Sequence, residues 1–217
     1  SLTISAGQVA SFIANPTSFT GYSAGSNVIV SGSITTAQAN SLNSVDATYI
    51  KATIESSSAA SLAAVATNNS SRTAANQFTV TVNDTSASAA TLKSVAAMSS
   101  AADFSTIDSI TASSAADVIA VYGDTSTTFA TDVLIAVNDS TVGAADLKAI
   151  NALSTGKVTS TATTISGTLA DLTTELAVAS SEIGRAADIA VTVTDSVVDA
   201  VDLLRLDDAA GGGDLTG

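Results

Sequence analysis

Three short segments of this chain read nearly alike. They are Val80-Thr81-Val82-Asn83-Asp84-Thr85, Ile135-Ala136-Val137-Asn138-Asp139-Ser140 and Val191-Thr192-Val193-Thr194-Asp195-Ser196. Asp84 and Asp139 are 55 residues apart, and Asp139 and Asp195 are 56 apart. The correspondence continues downstream, with Leu92, Leu147 and Leu203 in step and Val95, Ile150 and Leu206 in step. A second series lies between them, with Ile54, Ile110 and Ile165 at matching places. Interleaved, the two series form one ladder of β-branched anchors: Ile4, Val30, Ile54, Val82, Ile110, Val137, Ile165 and Val193. Neighbouring anchors lie 24 to 28 residues apart, so the unit is about 27 residues and eight units fill the chain. That period belongs to stacked repeat architectures.

Each unit has one grammar. A β-branched or alternating run leads to the anchor, as in Val133-Leu134-Ile135-Ala136-Val137, and predicts a strand. Gly32, Asp84, Asp139, Gly167 or Asp195 stands two residues past the anchor in five units. Asp and Gly suit a turn, and Asp or a nearby Ser/Thr can cap the helix that follows. An Ala-rich helix comes next. In Gly143–Leu153 it places Leu147, Ile150 and Leu153 on one side and Asp146 and Lys148 on the other. Ser154-Thr155-Gly156 reads as the helix stop. Short connections of this kind lay successive strands parallel. The expected fold is therefore α/β: a right-handed β-α solenoid of about eight ~27-residue coils with a parallel sheet. Residues 1–206 form that solenoid, its first two coils the most diverged, and residues 207–217 form an acidic, Gly-rich tail or interface segment.

These residues resemble the repeats of long cyanobacterial and other bacterial secreted or cell-surface repetitive proteins. The resemblance rests on Ala144-Ala145-Asp146-Leu147 with Lys148-Ala149-Ile150, on Thr155-Gly156-Lys157-Val158, and on Thr163 through Leu172. The segment ending at Ser196 fits the same pattern. The likeness is clearest over residues 78–206. It implies surface, motility or adhesion roles and carries no catalytic motif. This chain, at 217 residues, is much shorter than typical members.

Composition narrows the chemistry. There is no His, Cys or Trp, which excludes His-based triads, the usual zinc, haem and iron–sulfur ligand sets, and disulfides. Ala, Ser and Thr make up roughly half of the chain, far above ordinary usage. Aromatics are 4%, so the core is built from Ala, Val, Ile and Leu. The net charge of −13, with seven scattered basic residues, argues against nucleic acid and anionic membranes as partners. No apolar run is long enough to span a bilayer, and no signal peptide or initiator Met is present, as in a processed chain or a fragment. The acidic, Cys-free, Ser/Thr/Ala-rich composition points to an extracellular or cell-surface location.

The candidate sites are few. The repeated Asp84, Asp139 and Asp195 are Ca²⁺ ligand candidates, because that cation needs clustered oxygens. Turn and cap chemistry is the competing assignment, since one carboxylate per turn supplies too few ligands. Asp207, Asp208 and Asp214 partly match a Gly-Gly-x-Gly-x-Asp calcium repeat, in one imperfect copy that also reads as a frayed tail. Gly211-Gly212-Gly213 lacks the Lys-Ser/Thr of a phosphate loop. Glu175 and Glu182 are a carboxylate pair in principle, with solvated surface charge as the simpler assignment. Tyr22, Tyr49 and Tyr122 and the five Phe are assigned to packing or to the rim of the solenoid. Asn69, Asn83 and Asn138 begin N-glycosylation-type triplets.

No catalytic residue and no cofactor are expected, Ca²⁺ excepted. A repeat stack with open ends is completed by another copy, and a heterologous contact of that kind does not close. The expected function is a non-catalytic structural protein that self-associates head-to-tail into filaments, surface layers or matrix. The alternative is an adhesin-type module binding Ca²⁺ or a cell-surface glycan.

Overall fold

The alternating runs form strands and the Ala-rich runs form helices. The computed structural model describes residues 1–66, 74–210 and 213–216. In chain order the first elements are β1 (Leu2–Ser5), α1 (Val9–Ala14), β2 (Ser26–Ile34), α2 (Thr36–Leu42), β3 (Ala47–Ile54), α3 (Ala59–Ala63) and β4 (Gln77–Thr81). Then come β5 (Ser86–Ser88), α4 (Ala89–Met98), β6 (Ala101–Phe104), β7 (Ser109–Ser113), α5 (Ala115–Gly123), β8 (Thr127–Phe129), β9 (Leu134–Val137) and β10 (Thr141–Gly143). The last are α6 (Ala144–Asn151), β11 (Val158–Ser160), β12 (Thr164–Gly167), α7 (Leu169–Leu176), β13 (Ile183–Gly184), β14 (Ala190–Val193), α8 (Ala200–Ala209) and β15 (Leu215–Thr216).

The chain divides into two compact units. The first comprises Ser1–Ala87, Thr91–Ile107 and Asp124–Phe129. The second comprises Ser88–Ala90, Asp108–Gly123 and Ala130–Gly217. The first unit holds a six-stranded sheet, β1-β2-β3-β4-β6-β8. The second unit is built on parallel strands in the order β13-β11-β9-β7 and on a four-stranded sheet of order β10-β12-β14-β15. The strand pairs are parallel. The mixed α/β class with parallel strands is as expected.

The expected single sheet is instead three separate ones, and the register explains why. In the first unit Ile4 pairs with Val30, Val28 with Ile50, Ala52 with Phe78, Val80 with Ala102, and Phe104 with Phe129. These steps run from 22 to 26 residues, mostly shorter than the sequence period. The pairing therefore walks back along successive repeats. It enters on the anchors Ile4 and Val30 and leaves on Phe104 and Phe129, six and eight residues ahead of the anchors Ile110 and Val137. Those anchors belong to β7 and β9, where Ile110 meets Ile135 and Ser113 meets Val137. Val193 lies in β14, opposite Gly167. A periodicity in sequence does not fix the length of one structural turn, and here the two differ.

The core follows the helical pattern. The fourth and seventh helical positions are Ala39 and Leu42, Leu92 and Val95, Val118 and Val121, Leu147 and Ile150, and all are fully buried. In α3 they are Leu62 and Val65, the latter two residues past the helix end. Small residues at the first position, such as Ala59, Ala89 and Ala144, bring each helix close to its sheet. Large rings are rare. Phe12 in the first unit is enclosed edge-on by Phe19 and Tyr22, with centroids 5.2 Å away in both cases. These rings are packing residues, as expected.

Candidate functional site

The repeated aspartates act between repeats. The Asp84 carboxylate accepts the backbone N–H of Ala59 at 2.6 Å, Asp139 that of Ala115 at 2.6 Å, and Asp195 that of Leu169 at 2.6 Å. Ala59, Ala115 and Leu169 are the first residues of α3, α5 and α7. Each Asp thus closes the start of the helix one repeat earlier, where cap chemistry had been expected on the helix that follows. That helix start is closed locally by Ser or Thr. Ser58, Ser114 and Thr168 accept the N–H groups of Ser61, Asp117 and Asp171 at 3.1–3.2 Å. Two of the four orphan donors of a helix are therefore filled, one from each side of the repeat boundary. Ser113 Oγ does the same for Ala89 at 2.8 Å. Gly167 stands at the matching place in its repeat, close against Ala144.

Asp139→Ala is expected to lower stability by about 1 kcal/mol through loss of this cap, while Asp139→Asn keeps an acceptor and costs less. Urea unfolding of both variants checks this. Equal losses in the two would assign the effect to charge rather than to the hydrogen bond.

The calcium candidates do not converge. Asp207 and Asp208 are exposed on α8, and the backbone carbonyl of Asp214 accepts from Val191 at 2.8 Å. Among the described residues no group of three or more acidic side chains is placed to share a metal ion. The Asn69 triplet, Gly211 and Gly212 lie outside the described residues.

Glycines at matching positions bring repeats together. A Cβ on Gly156 would run into the backbone carbonyls of Asp132 and Val133, and one on Gly213 into that of Ile189. Gly156 was expected as a helix stop, yet it has no positive φ, and α6 ends in αR geometry at Ala152. Its role is close approach. Around it, Ser154 donates to the Val133 carbonyl at 2.7 Å, and Thr155 N–H donates to the Thr131 carbonyl at 2.7 Å.

The most unusual chemistry is at Glu175. This side chain is fully buried, contrary to its expected place on the solvated surface. It occupies the seventh position of α7, where the other helices hold Leu42, Val95, Val121, Ile150 and Leu206. Arg185 follows β13 and continues the row of Val137 and Ser160, an inward-facing row. Its guanidinium donates to Glu175 Oε1 at 2.8 Å and to the carbonyls of Glu175 and Leu176 at 3.1 Å, capping the C-terminus of α7. Among the described residues Glu175 Oε2 has no hydrogen-bond partner. Burial pushes the Glu175 carboxyl above its ordinary value, and the attraction of Arg185 offsets this only in part. Glu182 is exposed and accepts a long hydrogen bond from Asn151, so the two glutamates do not form a pair. The signal for Glu175 lay in the repeat itself: α7 aligned on α6 sets Glu175 against Ile150.

Arg185 also edges a cavity of about 250 Å³ between the ends of α7 and α8, walled mainly by Leu176, Ile183, Ile189 and Ala210. A fully buried carboxylate paired at 2.8 Å with an arginine that also caps a helix has the form of a structural ion pair. Among the described residues no helix is long and apolar enough to cross a membrane. No protein-family model, curated protein or solved structure matches this chain.

Proposed function

We propose that this chain is a non-catalytic extracellular structural protein. In this reading its repeats continue as a right-handed β-α solenoid of about eight coils and associate end to end into filaments, a surface layer or matrix. One observation carries it: a helix start in one repeat is completed by a side chain of the next, as Asp139 completes α5. A repeat of this kind is finished by another repeat, and a second copy can supply one. The edges of β1 and β15 offer the same parallel pairing groups that are used inside the sheets. Negative-stain microscopy combined with sedimentation over a concentration series tests the proposal. Rods that lengthen with concentration are expected. A single monomeric species at all concentrations would remove it.

A second reading, an adhesin-type module, is favoured by one feature of the first unit. Thr79, Thr81, Asp103, Ser126 and Thr128 line a shallow depression of about 240 Å³ on its sheet. Hydroxyls and a carboxylate on a flat face suit hydrogen bonding to a glycan or, with Asp103, to hydrated Ca²⁺. Glycan-array binding abolished by Asp103→Ala would move the assignment to this reading.

A further inference from the structure

The large exposed apolar side chains of the described residues are four: Leu134 at 52% exposure, Val197 at 89%, Val201 at 55% and Leu204 at 70%. Single exposed apolar residues need no explanation, but these are gathered in two places of the second unit. Val201 and Leu204, at i and i+3, stand on one face of α8 and form a ridge, and Val197 stands three residues ahead of the helix. The places of Val201 and Leu204 are held by Ala145 and Lys148 in α6 and by Ala170 and Thr173 in α7, so the ridge is a departure from the repeat. Leu134 lies instead in a shallow groove of about 320 Å³ on the outer face of the β7-β9-β11 sheet, with Thr111, Ala136, Lys157 and Thr159.

The two features have opposite charge. From residue 188 to residue 214 the chain carries seven Asp and one Arg; Asp208 stands beside the ridge on α8, and Asp202 is ion-paired there with Arg205 at 3.3 Å. The groove carries Lys157, which is exposed and forms no ion pair with any described residue. Its stem lies across Gly184, where a side chain would crowd it. An acidic apolar ridge and a basic apolar groove on one molecule are complementary to each other. A ridge-to-ridge contact would set acid against acid.

We propose that the α8 ridge of one copy seats in the sheet groove of a second copy, with Asp208 meeting Lys157. This contact goes beyond the end-to-end stacking proposed above, because it joins the outer face of a sheet to the outer face of a helix. It is heterologous, so it leaves a free ridge and a free groove on every pair and extends into chains or bundles. Two ridge side chains form a small patch beside the roughly 800 Å² per partner of a standard interface, so the contact is weak and concentration-driven.

Two surface variants test it. Leu204→Lys breaks the ridge and copies the residue of α6, and Leu134→Thr breaks the groove at an outward strand position. Circular dichroism and melting points equal to wild type are the control for folding. In sedimentation, the wild-type protein is expected to associate progressively, and each variant to weaken association by about tenfold or more. An equimolar mixture of the two variants retains one intact ridge and one intact groove, and is expected to associate more strongly than either variant alone. Continued association of both variants at wild-type strength would overturn this contact and leave the end-to-end reading standing. A mixture that stays monomeric while wild type associates would overturn it as well. A wild-type protein that is monomeric throughout would overturn both.

Discussion

Arg185→Ser is expected to destabilise the second unit by about 3–5 kcal/mol, the range for stripping the partner from a buried charge. The fully buried Glu175 would lose the guanidinium that neutralises it, and the C-terminal carbonyls of α7 would lose their cap. The double variant Glu175→Ile with Arg185→Ser recreates the Ile150 and Ser160 of the preceding repeat. It is expected to recover wild-type stability or exceed it, because buried ion pairs replaced by apolar groups are often neutral or better. A double-mutant cycle in urea reads the coupling directly. A double variant as unstable as Arg185→Ser alone would show that the pair contributes more than its desolvation costs.

The same pair sets a pH dependence with a definite sign. The Glu175 carboxyl is raised in the folded state above its unfolded value of 4.5. A raised acid binds its proton more tightly when folded, so its contribution to stability is fully present below the unfolded value. That contribution is lost as pH rises through the folded value. Glu175→Gln, which mimics the protonated acid, is therefore expected to match wild type near pH 4 and to be more stable at pH 7. Comparing the two proteins at each pH cancels the other carboxylates. A gap that opens at low pH instead would mean that the Arg185 attraction dominates.

Gly156→Val is expected to cost about 3 kcal/mol, at the upper end for overpacking. The added side chain meets backbone carbonyls of Asp132 and Val133, which have no rotamer to escape into. Gly156→Ala already places a methyl there and should lose most of this. Gly123, with open space around its Cα, is the control: Gly123→Ala should be close to neutral. Thermal melts of the three variants decide it, and an unperturbed Gly156→Val would remove the close approach as the reason for that glycine.

The local grammar of the repeat was readable from residues because it depends on neighbours in sequence. Leu147 and Ile150 are buried together because they share one helix face, and Ser58 and Thr168 cap because the N–H groups they accept from lie three residues away. What depends on the next repeat was not readable. The donor for Asp139 lies 24 residues upstream, beyond any capping rule that looks only a turn ahead. The division into three sheets turns on the difference between a sequence period and a pairing step, and only the first is printed in the chain. Glu175 was hidden by a general expectation about glutamate, although its alignment with Ile150 marked it. Gly156 carried the right residue for either a left-handed stop or a close contact, and only the facing carbonyls decide between them.

The inter-repeat caps also bear on how such a chain changes length. Asp84, Asp139 and Asp195 come from alternate repeats, with Ser113 and Gly167 between them. Excising one repeat would slide every later acceptor by one place, so that the Ala115 N–H of α5 would face Gly167 instead of Asp139. Excising two would restore the alternation. The viable unit of insertion or deletion in this architecture is thus the pair of repeats, and a gene encoding it can shrink or expand by about 55 codons while leaving each helix start opposite its own kind of partner.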